Sequence, residues 1–131
     1  MYEISFNFNE PSIDIAYINS NAYAAGELKH GTISLVEEGT PVIGILTEEK
    51  LKEKTISNVE EVKSRGATTI GIINEDTNYN FDYKVEIPKT HKLLQPLLTV
   101  VPLQLIAYEV AKLRNCDIDK PKNLAKSVTV E

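Results

Sequence analysis

The sequence predicts an α/β fold in which a largely parallel sheet is covered by helices on both faces. Two short apolar runs, PVIGIL at 41–46 and TTIGII at 68–73, are rich in β-branched residues and have the length of buried strands. Other segments carry apolar residues at every third or fourth position, which is the period of a helix packed on one side. Strands that alternate with helices favour parallel pairing through helical crossovers.

The N-terminal third of the chain contains three of these elements. Residues 2–8 alternate between apolar and polar side chains, which predicts a half-buried strand. From Ile13 to about His30 the apolar positions follow the helical period, and Gly31 is well placed to end that helix. A short helical piece at 32–36 and a turn then lead to the first apolar strand.

The rest of the chain repeats the alternation. Thr47 is a favourable N-cap for a helix predicted over 48–65, because its hydroxyl can accept a hydrogen bond from a free N–H of the first turn. The elements after the second apolar strand are, in order, a polar loop at 74–83, a short strand at 84–87 and, after Thr90, a long helix to about Asn115.

Bulk composition narrows the class of protein. At 131 residues the chain is expected to form one domain, and its net charge of −5 argues against a nucleic-acid partner. Cys116 is the sole cysteine, so no intrachain disulfide can form, which fits the cytoplasm. No signal peptide is predicted, and the apolar region 93–113 contains enough polar residues to argue against a membrane span. No spacing typical of metal ligands, phosphate loops or dinucleotide sites occurs, so no cofactor is expected.

Two runs carry a more specific signal. AYAAGELKHG at 22–31 and DIDKPKNLAKSVTVE at 117–131 resemble two sites of the glucosamine-6-phosphate synthases, the isomerising glutamine:fructose-6-phosphate aminotransferases. They stand in the family's order and at about its spacing. From about Ile15 onward the chain is similar to the second half of that family's isomerase region, a SIS (sugar isomerase) domain. The resemblance implies a three-layer α/β/α sandwich, with residues 1–131 as one partial SIS domain and 119–131 as its catalytic-type tail.

The same resemblance implies roles for four residues. Lys126 would form a Schiff base with the open-chain ketose, a step that requires the neutral amine to attack the carbonyl. His30 would assist opening of the sugar ring, and imidazole suits that task because its ordinary pKa lies near neutrality. Ala125 and Glu27 would line the sugar site.

The residue that acts as the catalytic base in the family is replaced in this sequence. Aligned without gaps, Asp14 stands where the family has the glutamate that moves a proton between C1 and C2, and Pro11 and Asn19 replace a lysine and a histidine. Aspartate is one methylene shorter, and a displacement of about 1 Å can cost on the order of a hundredfold in rate. The alternative role for Asp14 is that of an acid near Ser12 at a helix N-terminus, where the helix dipole favours it.

The resemblance covers only part of the family enzyme. The full enzyme carries a glutaminase and two SIS domains, and the chain is similar to the second SIS domain without its opening strand and helix. Residues 2–8 are hypothesised to replace that strand in the sheet or to pair with the same strand of a second copy, because an uncovered edge would be prone to aggregation.

Two functions stay open on this basis. The first is the sugar-phosphate isomerase part of an aminotransferase that makes glucosamine 6-phosphate from fructose 6-phosphate, inactive without the other domains. The alternative is a non-catalytic phosphosugar-binding or subunit-interaction module. The expected partners are a sugar phosphate and either a second copy or other synthase domains, with no nucleic acid and no membrane, in the cytoplasm.

Overall fold

In a computed structural model of the chain, residues 16–18 and 21–121 are described. Two short 3₁₀ helices come first, followed by three strands and two α-helices. In chain order the elements are the first 3₁₀ helix Ala25–His30, the second 3₁₀ helix Thr32–Leu35, β1 Pro41–Leu46, α1 Lys52–Lys63, β2 Thr68–Asn74, β3 Tyr83–Ile87 and α2 Gln95–Leu113.

The strands form one parallel sheet in the order β1-β2-β3. Ile43 of β1 lies opposite Ile70 of β2, which in turn lies opposite Tyr83 of β3. The prediction of a largely parallel sheet is confirmed. The two apolar runs became the paired strands β1 and β2, because β-branched residues pack well on both faces of a pleated surface.

Each face of the sheet is covered by helices. Successive side chains of a strand point to opposite faces, so each strand contributes to two cores. One core joins strand residues to α1 and the first 3₁₀ helix through Leu28, Val42, Leu46, Val59, Val62 and Ile73. The other joins the sheet to α2 through Ile43, Ile72, Ile87, Leu98, Leu103 and Ile106. The predicted three-layer α/β/α architecture is confirmed.

Two glycines make room for an aromatic ring from the loop before β3. A Cβ added at Gly71 would lie 2.3 Å from Cδ2 of Phe81, and one at Gly44 would lie 3.0 Å from its Cε1. The Phe81 ring is buried and meets Tyr79 edge-on, with centroids 4.8 Å apart. These glycines therefore let the loop at 75–82 pack directly on the sheet.

Helix α2 is apolar around most of its circumference. Its first charged residue is Glu109, and Pro102 lies buried in its interior. By length and composition it is one helix in the described part of the chain that could cross a membrane, which is weak evidence for a span. Its inner face packs against the sheet, as the core helix of a globular domain does.

The predicted helix from Ile13 to His30 is wrong over the part that the structure describes. Ala16 and Tyr17 form a turn, residues 21–24 are not helical, and only a 3₁₀ helix forms from Ala25. Tyr17 has a φ of 53°, a left-handed conformation that an α-helix cannot include.

Thr47 is not an N-cap, and α1 begins later than predicted. The cap position is Leu51, without a side-chain cap bond, and Lys52 is the first helical residue. Thr47 is held instead by two tertiary contacts: its carbonyl accepts a hydrogen bond from Asn74, and its hydroxyl lies 3.5 Å from that of Thr99. The other strand and helix predictions agree with the structure to within a few residues, and the predicted strand at 2–8 lies outside the described residues.

Candidate functional site

The segment AYAAGELKHG presents three different edges because it ends in a 3₁₀ helix. With about three residues per turn, positions i and i+3 eclipse each other. Ala25 and Leu28 therefore share the buried edge, and Glu27 and His30 share an exposed one. The turn geometry thus separates the buried packing residues from the exposed acid and imidazole.

The buried edge fastens the segment to the core. Leu28 is 1% exposed and packs in the cluster that includes Val59 and Val62 of α1. Lys29 adds an ion pair to Glu61 at 2.6 Å, which at this exposure is worth at most about 1 kcal/mol. Burial of Leu28 rather than the ion pair thus fixes the position of the helix.

The exposed edge offers an acid and an imidazole to a ligand. Glu27 and His30 are both exposed, and Gly31 ends the helix with a φ of 136°, which favours glycine. A carboxylate can accept hydrogen bonds from sugar hydroxyls, and an imidazole one turn away can donate or accept them. Of the five predicted site residues, Asp14, Ala125 and Lys126 lie outside the described residues, so the structure brings together only this pair.

The carboxyl ends of the strands carry a buried polar network that the sequence analysis did not predict. Gln95, the first residue of α2, donates to the side-chain oxygen of Asn74 at 3.0 Å and to the carbonyl of Pro88 at 3.3 Å. The side-chain oxygen of Gln95 accepts from the N–H of Thr90 at 2.9 Å. Ligands of open α/β sheets bind at this edge. Here the groups satisfy one another, so the network fixes the start of α2 rather than offering a free site.

A charged cluster lies across the same edge. Lys89, which follows β3, contacts Asp76 after β2 at 2.6 Å and Glu49 after β1 at 3.4 Å. The hydrogen bond from Lys89 lowers the pKa of the Asp76 carboxyl, and the same bond raises the pKa of Lys89. The cluster therefore links the three loops that follow β1, β2 and β3.

The loop at 75–82 makes further side-chain contacts with the sheet and with α1. Asp82 accepts hydrogen bonds from the hydroxyl of Thr69 at 2.6 Å and from its N–H at 2.8 Å, and these bonds lower the pKa of the Asp82 carboxyl. Tyr79 donates to Glu60 of α1 at 2.6 Å. Burial first, and then this bond, raise the pKa of the Tyr79 phenol. Both contacts cross long sequence separations, so no local pattern could have indicated them.

Within residues 16–18 and 21–121, no group of three or more His, Cys, Asp and Glu side chains is arranged to hold a metal ion.

Comparison with known proteins identifies similar chains. The model of the SIS domain family matches residues 12–114. A glutamine–fructose-6-phosphate aminotransferase [isomerizing] of Clostridium tetani is 57% identical over 122 residues, which are 90% of this chain and 20% of that protein. The protein of the same name from Pyrobaculum aerophilum is 51% identical over 120 residues, with the same two shares. The chain thus spans about a fifth of the length of these relatives.

A solved structure supports the same comparison. The C-terminal domain of glucosamine-fructose-6-phosphate aminotransferase from Francisella tularensis is similar with a TM-score of 0.77 and 33% identity. The match covers 84% of this chain and 32% of that one.

Proposed function

Since this chain belongs to the SIS domain family, we propose that it is the sugar-phosphate isomerase part of a glutamine:fructose-6-phosphate aminotransferase. The observation that carries the proposal is the exposed pair of Glu27 and His30 on a segment that buried Leu28 locks to the core. A site residue must be both accessible and positioned, and this arrangement supplies both.

The proposed substrate is fructose 6-phosphate and the proposed product is glucosamine 6-phosphate, with ammonia derived from glutamine. Residues 1–131 would be a single partial SIS domain, with 119–131 as the tail that closes over the sugar. The relatives are about five times as long as the matched region. Most residues that line the sugar site would therefore belong to other domains, which could be on the same polypeptide or on a separate one. We expect the 131 residues by themselves to be inactive.

Each proposed residue has a distinct task. His30 would take and return the proton that moves when the sugar ring opens, because an imidazole has one nitrogen that accepts a proton and one that donates it. Lys126, as a neutral amine, would attack the ketone carbon and release water to form an imine. Asp14, or a residue from another part of the protein, would move a proton between C1 and C2. Glu27 and the backbone at Ala125 would hold sugar hydroxyls.

The exposure of His30 also bears on assembly. His30 is exposed, so a sugar bound to its imidazole would need a second surface to enclose it. This supports a site completed by other synthase domains or by a second copy of the chain. We place this assembly in the cytoplasm, where the sugar phosphate would be made.

A second candidate function is a phosphosugar-binding or subunit-interaction module without catalysis. Three substitutions favour it: Asp14, Pro11 and Asn19 stand where the family has a glutamate, a lysine and a histidine. A shortened base would slow proton transfer while leaving the sugar-holding residues in place.

Complementation separates the two candidates. The chain would be co-expressed with the Clostridium tetani aminotransferase truncated before its matched region, and glucosamine 6-phosphate would be measured. We expect product from the pair, its loss with His30→Ala, and its retention with Leu35→Ala, an exposed substitution outside the motif. The truncated enzyme joined to its own C-terminal region is the control for folding. Co-purification without product would favour the non-catalytic module.

A further inference from the structure

The outer edge of β1 has the composition of a strand from the interior of a sheet. β1 is the first of the three strands, and no strand within residues 16–18 and 21–121 pairs with its other side. Its side chains are nevertheless apolar and largely covered: Val42 is 0% exposed, Ile43 is 5% exposed and Leu46 is 2% exposed. Edge strands of natural proteins normally carry charges or lie under another segment. The composition of β1 therefore indicates that another segment covers it.

β3 forms the opposite edge of the sheet and has the features that normally protect an edge strand. Lys84 and Glu86 are exposed and form an ion pair at 2.9 Å, and Tyr83 is 66% exposed. Charged side chains at an edge discourage further pairing, because an added strand would take them out of water. The run PVIGIL of β1 contains no charge. Of the two edges, that of β1 is therefore the one suited to another strand.

The backbone of β1 offers two amide groups to such a strand. The N–H of Thr68 donates to the carbonyl of Thr40 at 2.9 Å, and in a parallel ladder alternate residues direct their N–H and C=O groups to the same neighbour. The even-numbered positions of β1 therefore face β2, whereas Ile43 and Ile45 face away from it. Neither of these two N–H groups has an acceptor in the part of the chain that the structure describes. Because Ile43 is nearly buried, an unpaired amide there would cost stability, and a neighbouring strand would remove that cost.

We propose that residues 2–8 of the same chain pair with the outer edge of β1 as a fourth strand. Apolar side chains alternate with polar ones in this segment, which reads YEISFNF. That period is typical of a strand with one face on the core and one in water, which suits the border of a sheet. The SIS family model matches from residue 12 onward and does not include this segment. The pairing does not depend on the proposed sugar chemistry, and it holds for a catalytic or a non-catalytic chain.

The position of Ala16 shows that residues 2–8 can reach this edge. Ala16 is buried and packs against Ala107 and Ala111 in the last turns of α2. Because α2 follows β3 and runs back across the sheet, these turns lie toward the amino ends of the strands. The chain between residue 8 and Ala16 can span about 28 Å, whereas a strand of six residues such as β1 is about 20 Å long. The link is therefore long enough for pairing in either direction along β1.

Residues 2–8 have an advantage over a strand that a second molecule would supply. The short link at 9–15 holds them near β1 at an effective concentration in the millimolar range. A separate molecule at micromolar concentration would have to bind the same edge much more tightly to compete. Pairing within one chain is therefore favoured over pairing between two copies.

The test is amide hydrogen exchange of the 131-residue chain, measured residue by residue by nuclear magnetic resonance. We expect the N–H groups of Ile43 and Ile45 to be protected to about the same degree as those of Val42 and Gly44, which face β2. Without a fourth strand, the two outward amides should exchange much faster than their two neighbours. The comparison is internal to one strand, so the overall stability of the domain affects all four amides alike.

Two double variants with the same added charge test whether residues 2–8 provide the protection. Ile4→Asp with Phe6→Asp places two charges on the apolar face of the segment, and Ser5→Asp with Asn7→Asp places two on its polar face. The first pair should speed exchange of the two outward amides of β1 by at least about tenfold, because the paired segment would have to bury the charges. The second pair should leave their exchange close to that of the wild type. Equal effects of the two double variants would contradict the proposal.

Spectra of the wild-type chain keep the test decisive if the charged variants fail to fold. Nuclear Overhauser contacts should join backbone protons of residues 2–8 to those of Ile43 and Ile45. In a mixture of isotope-labelled and unlabelled chains, these contacts should stay within one molecule. Fast exchange of both outward amides in the wild type, or the lack of any contact with residues 2–8, overturns the proposal. So do contacts that cross between molecules, which would assign the edge to a second copy, and protection that arises only when the truncated aminotransferase is added.

Discussion

Substituting Gly71 by alanine should destabilise the fold by much more than an ordinary glycine substitution. The added Cβ would lie 2.3 Å from Cδ2 and 2.5 Å from Cε2 of Phe81, where carbon atoms prefer 3.5–4.0 Å. The ring must therefore move by more than 1 Å. It has little freedom to do so, because it is buried against Tyr79 and against the backbone at Gly44.

The magnitude follows from the cost of overpacking. Inserting a methyl group into a well-packed core costs about 1–3 kcal/mol, and a rigid ring that cannot change rotamer favours the upper half of that range. At an m-value of about 2 kcal/mol/M, a loss of about 2–3 kcal/mol lowers the urea midpoint by about 1–1.5 M. Unfolding followed by far-ultraviolet circular dichroism measures this shift.

A matched control isolates the clash from the general effect of replacing glycine. Gly26→Ala adds the same methyl group where no heavy atom lies within 4 Å, so the free energy of unfolding should change by less than about 0.5 kcal/mol. In a Phe81→Leu background, Gly71→Ala should cost less stability than it does in the wild type. The difference between the two costs is the coupling energy, which should be about 1 kcal/mol or more. Equal midpoints for Gly71→Ala and Gly26→Ala would refute the reasoning.

Three further predictions concern the polar network, the loop carboxyl and the motif. Gln95→Ala leaves its buried hydrogen-bond partners unpaired and should lower the free energy of unfolding by about 1–3 kcal/mol. Gln104 is exposed, and Gln104→Ala should cost less than about 0.5 kcal/mol. Urea unfolding measures both, and equal costs would contradict the role of the network. The folded-state pKa of Asp82 is depressed, so its stabilisation is present above the unfolded pKa of about 3.9 and is lost as pH falls through the folded value. Urea midpoints measured from pH 5 to 2 should therefore fall less steeply in Asp82→Asn than in the wild type, and parallel profiles would disagree. By thermal unfolding, Leu28→Ala should lose about 2–5 kcal/mol of stability because Leu28 is buried, and His30→Ala should lose less than about 0.5 kcal/mol because His30 is exposed. A similar loss for the two variants would contradict this division between a buried and an exposed edge.

The sheet could be predicted from the sequence because its signal is local. The runs at 41–46 and 68–73 are apolar on both faces, a pattern that a buried parallel strand requires and that few other elements produce. What the sequence could not show depends on contacts between distant residues. Thr47 has the side chain of an N-cap, but its hydroxyl meets Thr99, 52 positions away, and α1 begins five residues later.

The residues of the candidate site were predicted from motif resemblance, and the periodicity of apolar residues contributed little. The motif named His30 and Glu27, and the structure adds the reason why they can be presented together, which is the three-residue turn of a 3₁₀ helix. Helical periodicity had suggested an α-helix there, but an amphipathic pattern does not report the left-handed φ of Tyr17. The role of Lys126 stays a prediction.

The central claim is that Lys126 is the residue that binds the sugar carbonyl. The direct measurement is the intact mass of the chain after incubation with fructose 6-phosphate and borohydride in complex with the truncated aminotransferase that supplies the other domains, followed by peptide mapping, with Lys126→Ala as the control. The account predicts one sugar-phosphate adduct per chain, confined to the peptide that contains Lys126 and absent from the variant. No adduct, or an adduct spread equally over Lys120 and Lys122, would contradict it.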